Sequence, residues 1–327
     1  MRSIRRLTGC LLMAVVVVAV EGGVAVAVGW TAASSNPTNV FRAATDWTPP
    51  TVSGATVSPT SAGAPIGSAG FLRQGSAYRV YASILDLNSG VATVTANLVN
   101  ESGSGSGAVS LSAGSYPVGG VTYNFASAQQ TALLVLAEGP KQYTVATTDN
   151  AGNATSATFN VTVDNTPPTG SDIQTANAAA GTNGRPETGD KVIYTFSEPV
   201  APTSILAGWD GTSTNVVFRF LNGNPTDSFV VYNATNTAQL PLGLVSTGKK
   251  YVTGTINFGV TGAPSTMVMS GSTITVTLGT PDNANAASSA NGGVNMTWTP
   301  SAAVTDRAAN TLLPTAVLET GSGDVDF

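Results

Sequence analysis

Between residues 51 and 163 apolar and polar positions alternate with a period of two in seven short segments. They are "TVSGATV" (51–57), "YRVYASILD" (78–86), "VATVTANLV" (91–99), "AVSLS" (108–112), "VTYNF" (121–125), "QYTVATT" (142–148) and "ATFNVTV" (157–163). Such alternation places one set of side chains on each face of an extended chain, so each segment reads as a half-buried strand. Seven strands separated by Gly, Asn and Ser turns predict an antiparallel sandwich. In "TDNAGNATS" Asp149 and Asn150 can bond their own turn amides, Gly152 supplies a positive φ and Asn153 tolerates one, which predicts a tight hairpin. "NESGSGSG" reads as an exposed loop tip, and "AQQTALLVLAE" as a helical turn or a buried crossing between sheets.

The pattern continues in "DKVIYTFSEPV" (190–200) and at 215–221, 228–232, 251–259, 266–269, 273–278 and 295–299. "PTSILAGWDG" predicts one helical turn with Thr203 or Ser204 as its cap. The string "TPPT" occurs twice, starting at Thr48 and Thr166, 118 residues apart, close to the roughly 100 residues of one sandwich. Paired prolines lack amide donors and favour extended backbone, which ends a strand. The chain therefore divides into 1–46, a leader and linker; 47–166, one β-sandwich; and 167–327, a larger one. "AVTDRAAN" echoes "VATTDNAGN", so both sandwiches are expected to close on the same turn. The fold class is all-β.

Composition narrows the function. The chain is 42% hydrophobic with 9% charged residues, against about 25% charged in ordinary domains. Disorder needs the opposite balance, so a packed core is expected. Histidine is absent and Cys10 is the only cysteine. Cys10 lies in the N-terminal leader, and once the leader is removed zinc, haem and iron–sulfur sites, a Ser-His-Asp triad and a Cys nucleophile all lack their residues. Losing Arg2, Arg5, Arg6 and Glu21 with the first 30 residues leaves 10 basic against 17 acidic residues. A surface of that sign repels phosphate backbones, which excludes nucleic acid as a partner.

"MRSIRRLTGCLLMAVVVVAV" has a basic start and an apolar run, the two parts of a secretory signal. Glu21, Gly22 and Gly23 interrupt the run before it reaches the roughly 20 residues of a membrane span, so export with cleavage between Ala27 and Ala33 is expected rather than a permanent anchor. The following "GWTAASSNPTNVFRAATDW", through Ser35, Asn36, Asn39, Phe41, Ala43, Ala44 and Asp46, resembles the segment after cleavage in Gram-positive proteins with SipW-type signal peptides. The hairpin and exit "TDNAGNATS…FNVTVDNTPPT" resembles the end of bacterial Ig-like repeats, and "FSEPV" the hallmark strand of another bacterial Ig-like family. These resemblances imply two tandem Ig-like domains on a secreted, cell-surface or extracellular-matrix protein. Its partners would be a signal peptidase during export and then other matrix proteins or glycans.

Candidate chemistry is sparse, and no catalytic or cofactor-binding residue is identified. Asp86, Asn88, Asp149 and Asp164 are hard oxygen donors at strand ends, the ligand type that calcium takes, although ordinary turn roles account for all four. Calcium is the one ion the sequence suggests, with a rigidifying role at a junction. Trp209, Tyr232, Tyr251 and Trp298 are candidates for glycan binding if they are exposed; in a sandwich such residues more often fill the core. Glu187, Asp190, Glu198 and Asp210 are the carboxylates from which a glycoside hydrolase pair would be drawn. The expectation is a structural or adhesive protein without catalysis, with a glycan- or wall-binding pair as the alternative and a hydrolase more distant.

Overall fold

The computed structural model describes residues 46–290 and 292–323. The leader and its cleavage site lie outside the described residues. In the compact unit that begins at Thr48 the regular secondary structure is almost wholly strand, an all-β fold of sandwich type.

Ten strands belong to the first half. They are β1 (Thr51–Ser61), β2 (Ala64–Pro65), β3 (Phe71–Leu72), β4 (Ala77–Leu85), β5 (Val91–Asn97), β6 (Val109–Val118), β7 (Val121–Ser127), β8 (Gln130–Thr131), β9 (Gly139–Asp149) and β10 (Ala154–Val163). Hydrogen bonding runs β2-β1-β4-β7-β6-β5-β9-β10-β3, with β8 also on β4. β6 makes the corner: Val109 and Ser110 pair with β5, and Leu111 to Val118 pair with β7. A strand that changes partners in this way lets one ladder fold back on itself. Tyr78, Val80, Ala82 and Ile84 of β4 face inward and meet Val94, Ala96, Tyr143, Val145, Val161 and Val163. The alternation predicts this facing because one residue of slip would turn all four outward.

The second half follows with β11 (Gly170–Ala176), β12 (Lys191–Phe196), β13 (Thr214–Leu221), β14 (Ser228–Asn233), β15 (Leu244–Ser246), β16 (Ile256–Phe258), β17 (Ser265–Ser270), β18 (Thr273–Thr277), β19 (Thr297–Thr299) and β20 (Val317–Leu318). The order is β11-β12-β18-β17-β13-β14-β15-β19-β20, with β16 on β13. Phe218, Phe220, Phe229 and Phe258 pack together, with ring centroids of Phe218 and Phe229 5.0 Å apart. Trp298 is fully buried, edge-on to Tyr194 and Phe196 at 5.3 and 5.1 Å. Among the described strands no ladder joins the two halves; the pairing changes between β10 and β11, where the second Pro-Pro pair lies.

Three local expectations change. Residues 99–106 are not a free tip: they form a helical turn (Val99–Ser102) and a 3-10 turn (Ser104–Ser106) that bury Glu101 and Ser106. Residues 132–138 are neither helix nor crossing but an irregular loop whose Leu134 and Val135 are 81% and 88% exposed. The predicted turn exists as α2 (Pro202–Ile205), taking Val99–Ser102 as α1, but Ala201 is its N-cap and makes no side-chain bond; Ser204 Oγ donates to the Ala201 carbonyl at 2.7 Å. Alanine has no side-chain acceptor for the second and third amides of the turn, and Pro202 at the first position removes one orphan amide.

Candidate functional site

The two echoing motifs fold into the same turn. In the first half Asp149 Oδ1 accepts the Asn153 amide at 2.8 Å and Oδ2 accepts Asn153 Nδ2 at 2.7 Å. In the second, Asp306 Oδ1 accepts the Asn310 amide and Oδ2 accepts Asn310 Nδ2, both at 2.7 Å. The fourth residue must turn left-handed, and it is Gly152 (φ 94°) in one copy and Ala309 (φ 67°) in the other.

The second copy does more than close a hairpin. Asn310 Nδ2 also donates to the Asp164 carbonyl at 2.9 Å, and the Ser68 amide donates to the Arg307 carbonyl at 2.7 Å. A Cβ on Gly67 would lie 2.5 Å from that carbonyl oxygen, so the approach depends on glycine. The Leu313 amide reaches the Pro168 carbonyl at 2.9 Å. From the first half, Asn165 Oδ1 accepts the Gln74 amide and its Nδ2 donates to the Leu136 carbonyl, each at 2.8 Å. Thr166 Oγ1 donates to Glu138 Oε1 at 2.8 Å. The linker is thus bonded on both sides, and its backbone polar groups find partners without a shared sheet.

Carboxylates collect at this junction. Asp164, Glu198 and Asp306 each bring an oxygen within 4.8 Å of the others. Burial and the neighbouring Asp164, Asp306 and Glu138 charges push Glu198 up to about 8. Burial also raises Asp306, opposed by its bonds from Asn310. Three hard oxygen donors on a fixed frame could supply part of a calcium shell, which needs six to eight oxygens. The four sequence candidates are therefore divided. Asp164 belongs to this cluster. Asp86 and Asp149 bring carboxylate oxygens within 4.8 Å of each other elsewhere, and the Asn88 amide donates to Asp86 Oδ1 at 3.1 Å. Asp149 is held below the usual carboxylate range: burial raises it, but donors from Asn153, Ala151 and Ser89 outweigh that effect.

The other candidates are absorbed by structure. Trp209 is 5% exposed, with Nε1 donating to the Thr212 carbonyl at 2.6 Å, and Trp298 Nε1 donates to the Leu242 carbonyl at 2.7 Å. Tyr251 is buried, and the Tyr232 ring carries the Arg219 guanidinium at 3.9 Å. Asp190 accepts the Ala178 and Glu187 amides at 2.9 and 2.6 Å, Glu187 accepts the Thr182 amide at 2.8 Å, and Asp210 accepts the Thr212 amide at 2.9 Å. A cleft of about 700 Å³ lies between residues 58–69 and 117–120 on one side and 202–210 on the other; Asp210 is the one titratable residue in its lining.

No protein-family model matches the chain, and no curated protein matches it. In the sequence Glu198 stands in "FSEPV" among the carboxylates considered for a hydrolase pair, and Asp306 in the echoing turn "AVTDRAAN". The usable signal for their meeting was the echo itself, which places an Asp of the same kind at the closing turn of each half.

Proposed function

We propose that this chain is a secreted cell-surface or extracellular-matrix protein that works as a structural spacer with adhesive faces, without catalysis. The observation that carries this reading is the junction, where linker residues 164–168 are bonded to both halves and the Asp306–Asn310 turn grips the Asp164 backbone. Such bonding favours a fixed relation between modules over free swivelling, the property a spacer needs. The candidate carboxylates are engaged in turns and at the junction, and Trp209, Tyr251 and Trp298 lie in the core, which leaves Ser-, Thr- and Asn-rich strands and loops to meet other matrix proteins or glycans. Among the described residues no helix is long and apolar enough to cross a membrane. The leader supplies the address through its basic and apolar parts.

The test combines fractionation of the producing cells with N-terminal sequencing of the product and a surface-attachment assay on a deletion strain. The expected result is an extracellular chain starting between Ala27 and Ala33, and weakened attachment without it. A cytosolic product with Met1 intact, or glycan turnover that disappears in Glu198→Gln, overturns the proposal.

A further inference from the structure

Glu101 lies in a string of Ser and Gly, where a carboxylate would ordinarily meet water. Instead it is 0% exposed, and neither carboxyl oxygen has a hydrogen-bond partner. Its turn is the platform on which the 132–138 loop hangs. The Leu133 amide donates to the Glu101 carbonyl at 2.8 Å, and Ser102 Oγ donates to the Thr131 carbonyl at 2.7 Å. Tyr78 OH lies 2.6 Å from Ser102 Oγ, which ties the turn to β4. The Gly75 amide donates to the Leu133 carbonyl at 2.9 Å, so the loop has a second anchor. Beyond these anchors Leu134 and Val135 project into solvent, while Leu136 is buried.

An ionised carboxylate in a buried site without donors is far costlier than a neutral one, which needs only a weak partner. We propose that Glu101 is a proton-operated latch: as a neutral acid it seats the 99–102 turn and holds the apolar 132–136 loop, and on ionisation it swings out and frees that loop.

The groups facing Glu101 are few. Tyr78 on β4 and Tyr143 on β9 are both pushed up by burial and by the Glu101 charge, and Lys141 on β9 is the one cation acting on it. Burial raises the Glu101 carboxyl to about 7, against which its own backbone amide and then Lys141 pull only partly. The sign follows. The closed state keeps its proton while the open state, with Glu101 in water, has lost it above the ordinary carboxylate value. Closure is therefore fully favoured below about 4.5 and weakens as pH rises, and the opening constant grows about tenfold per pH unit until about 7.

Hydrogen exchange of the whole chain, corrected for the intrinsic pH dependence, tests this. Between about pH 5 and pH 8, protection over 99–106 and 131–138 should fall by about two orders of magnitude while that of β12 and β18 stays constant. In Glu101→Gln the change should vanish, with protection held near its acid value. Equal pH dependence in both chains, or none in the parent, overturns the latch. If the variant misfolds, binding of an apolar dye by the parent chain decides: a rise centred near pH 7 supports the latch, and a flat profile or a rise centred below pH 5 refutes it.

Discussion

Replacing Asn310 by Ala separates the junction from the turn. Asn310 is nearly buried, and its Nδ2 makes two bonds, to the Asp164 carbonyl and to Asp306 Oδ2. A neutral bond is worth about 1 kcal/mol and one to a charged group about 1.5–3, so the loss should reach about 2–4 kcal/mol, with Asp306 left short of a donor. Asn153→Ala is the matched control: it removes the corresponding turn bond to the Asp149 carboxylate, at a less buried position and with no linker bond, and should cost about 1.5 kcal/mol, the lower end of that range. Denaturant unfolding measures both, and limited proteolysis around residues 164–168 reports the junction directly. Asn310→Ala should expose that stretch before global unfolding, and Asn153→Ala should not. Equal costs for the two variants, or a junction as resistant as the parent in Asn310→Ala, would refute the claim that this turn fixes the linker.

Other outcomes follow from the same geometry. Gly152→Ala meets no atom within 4 Å and should cost only the left-handed strain, about 1–2 kcal/mol, whereas Gly67→Ala also strikes the Arg307 carbonyl and should destabilise more; thermal unfolding ranks them, and the reverse order would be wrong. Calcium at about a hundredfold excess over its Kd should add about 2–3 kcal/mol of stability relative to chelator, and Asp164→Asn with Glu198→Gln should erase the gain; an unchanged melting temperature removes the ion from the junction. Trp298→Ala should cost about 3–5 kcal/mol through its cavity and the orphaned Leu242 carbonyl, and Trp209→Ala should likewise act on stability; normal folding with selective loss of glycan retention in Trp209→Ala would reinstate a glycan face.

Much of the strand pattern is legible in the sequence because a two-residue period is a local property: β4, β9, β10, β12, β13, β17 and β18 fall where the alternation lies. β2, β3, β8, β11, β15 and β20 escape it; all but β11 have only two or three residues and take their identity from pairing partners. The burial of Glu101 is illegible for a related reason. Nothing in "NESGSGSG" encodes it; Tyr78, Tyr143 and the 132–138 loop supply the enclosure from remote positions. The acidic cluster was half visible. Asp164 stood out as a linker residue, but its meeting with Glu198 and Asp306 is made by docking of the closing turn.

The margins of the two ladders differ. In the second half Thr320 clasps Asp172 across the gap between first and last strands, its amide 2.9 Å from Oδ1 and its hydroxyl 3.0 Å from Oδ2, and Gln174 Nε2 reaches the Thr320 carbonyl at 2.9 Å. That rim is held by side chains rather than by a ladder. In the first half, among the described strands, β10 pairs on its outer side only at Thr162 and Val163, so the stretch before them offers bare amides and carbonyls. An extended segment that paired with this flank would lengthen the sheet of the N-terminal half without disturbing the second.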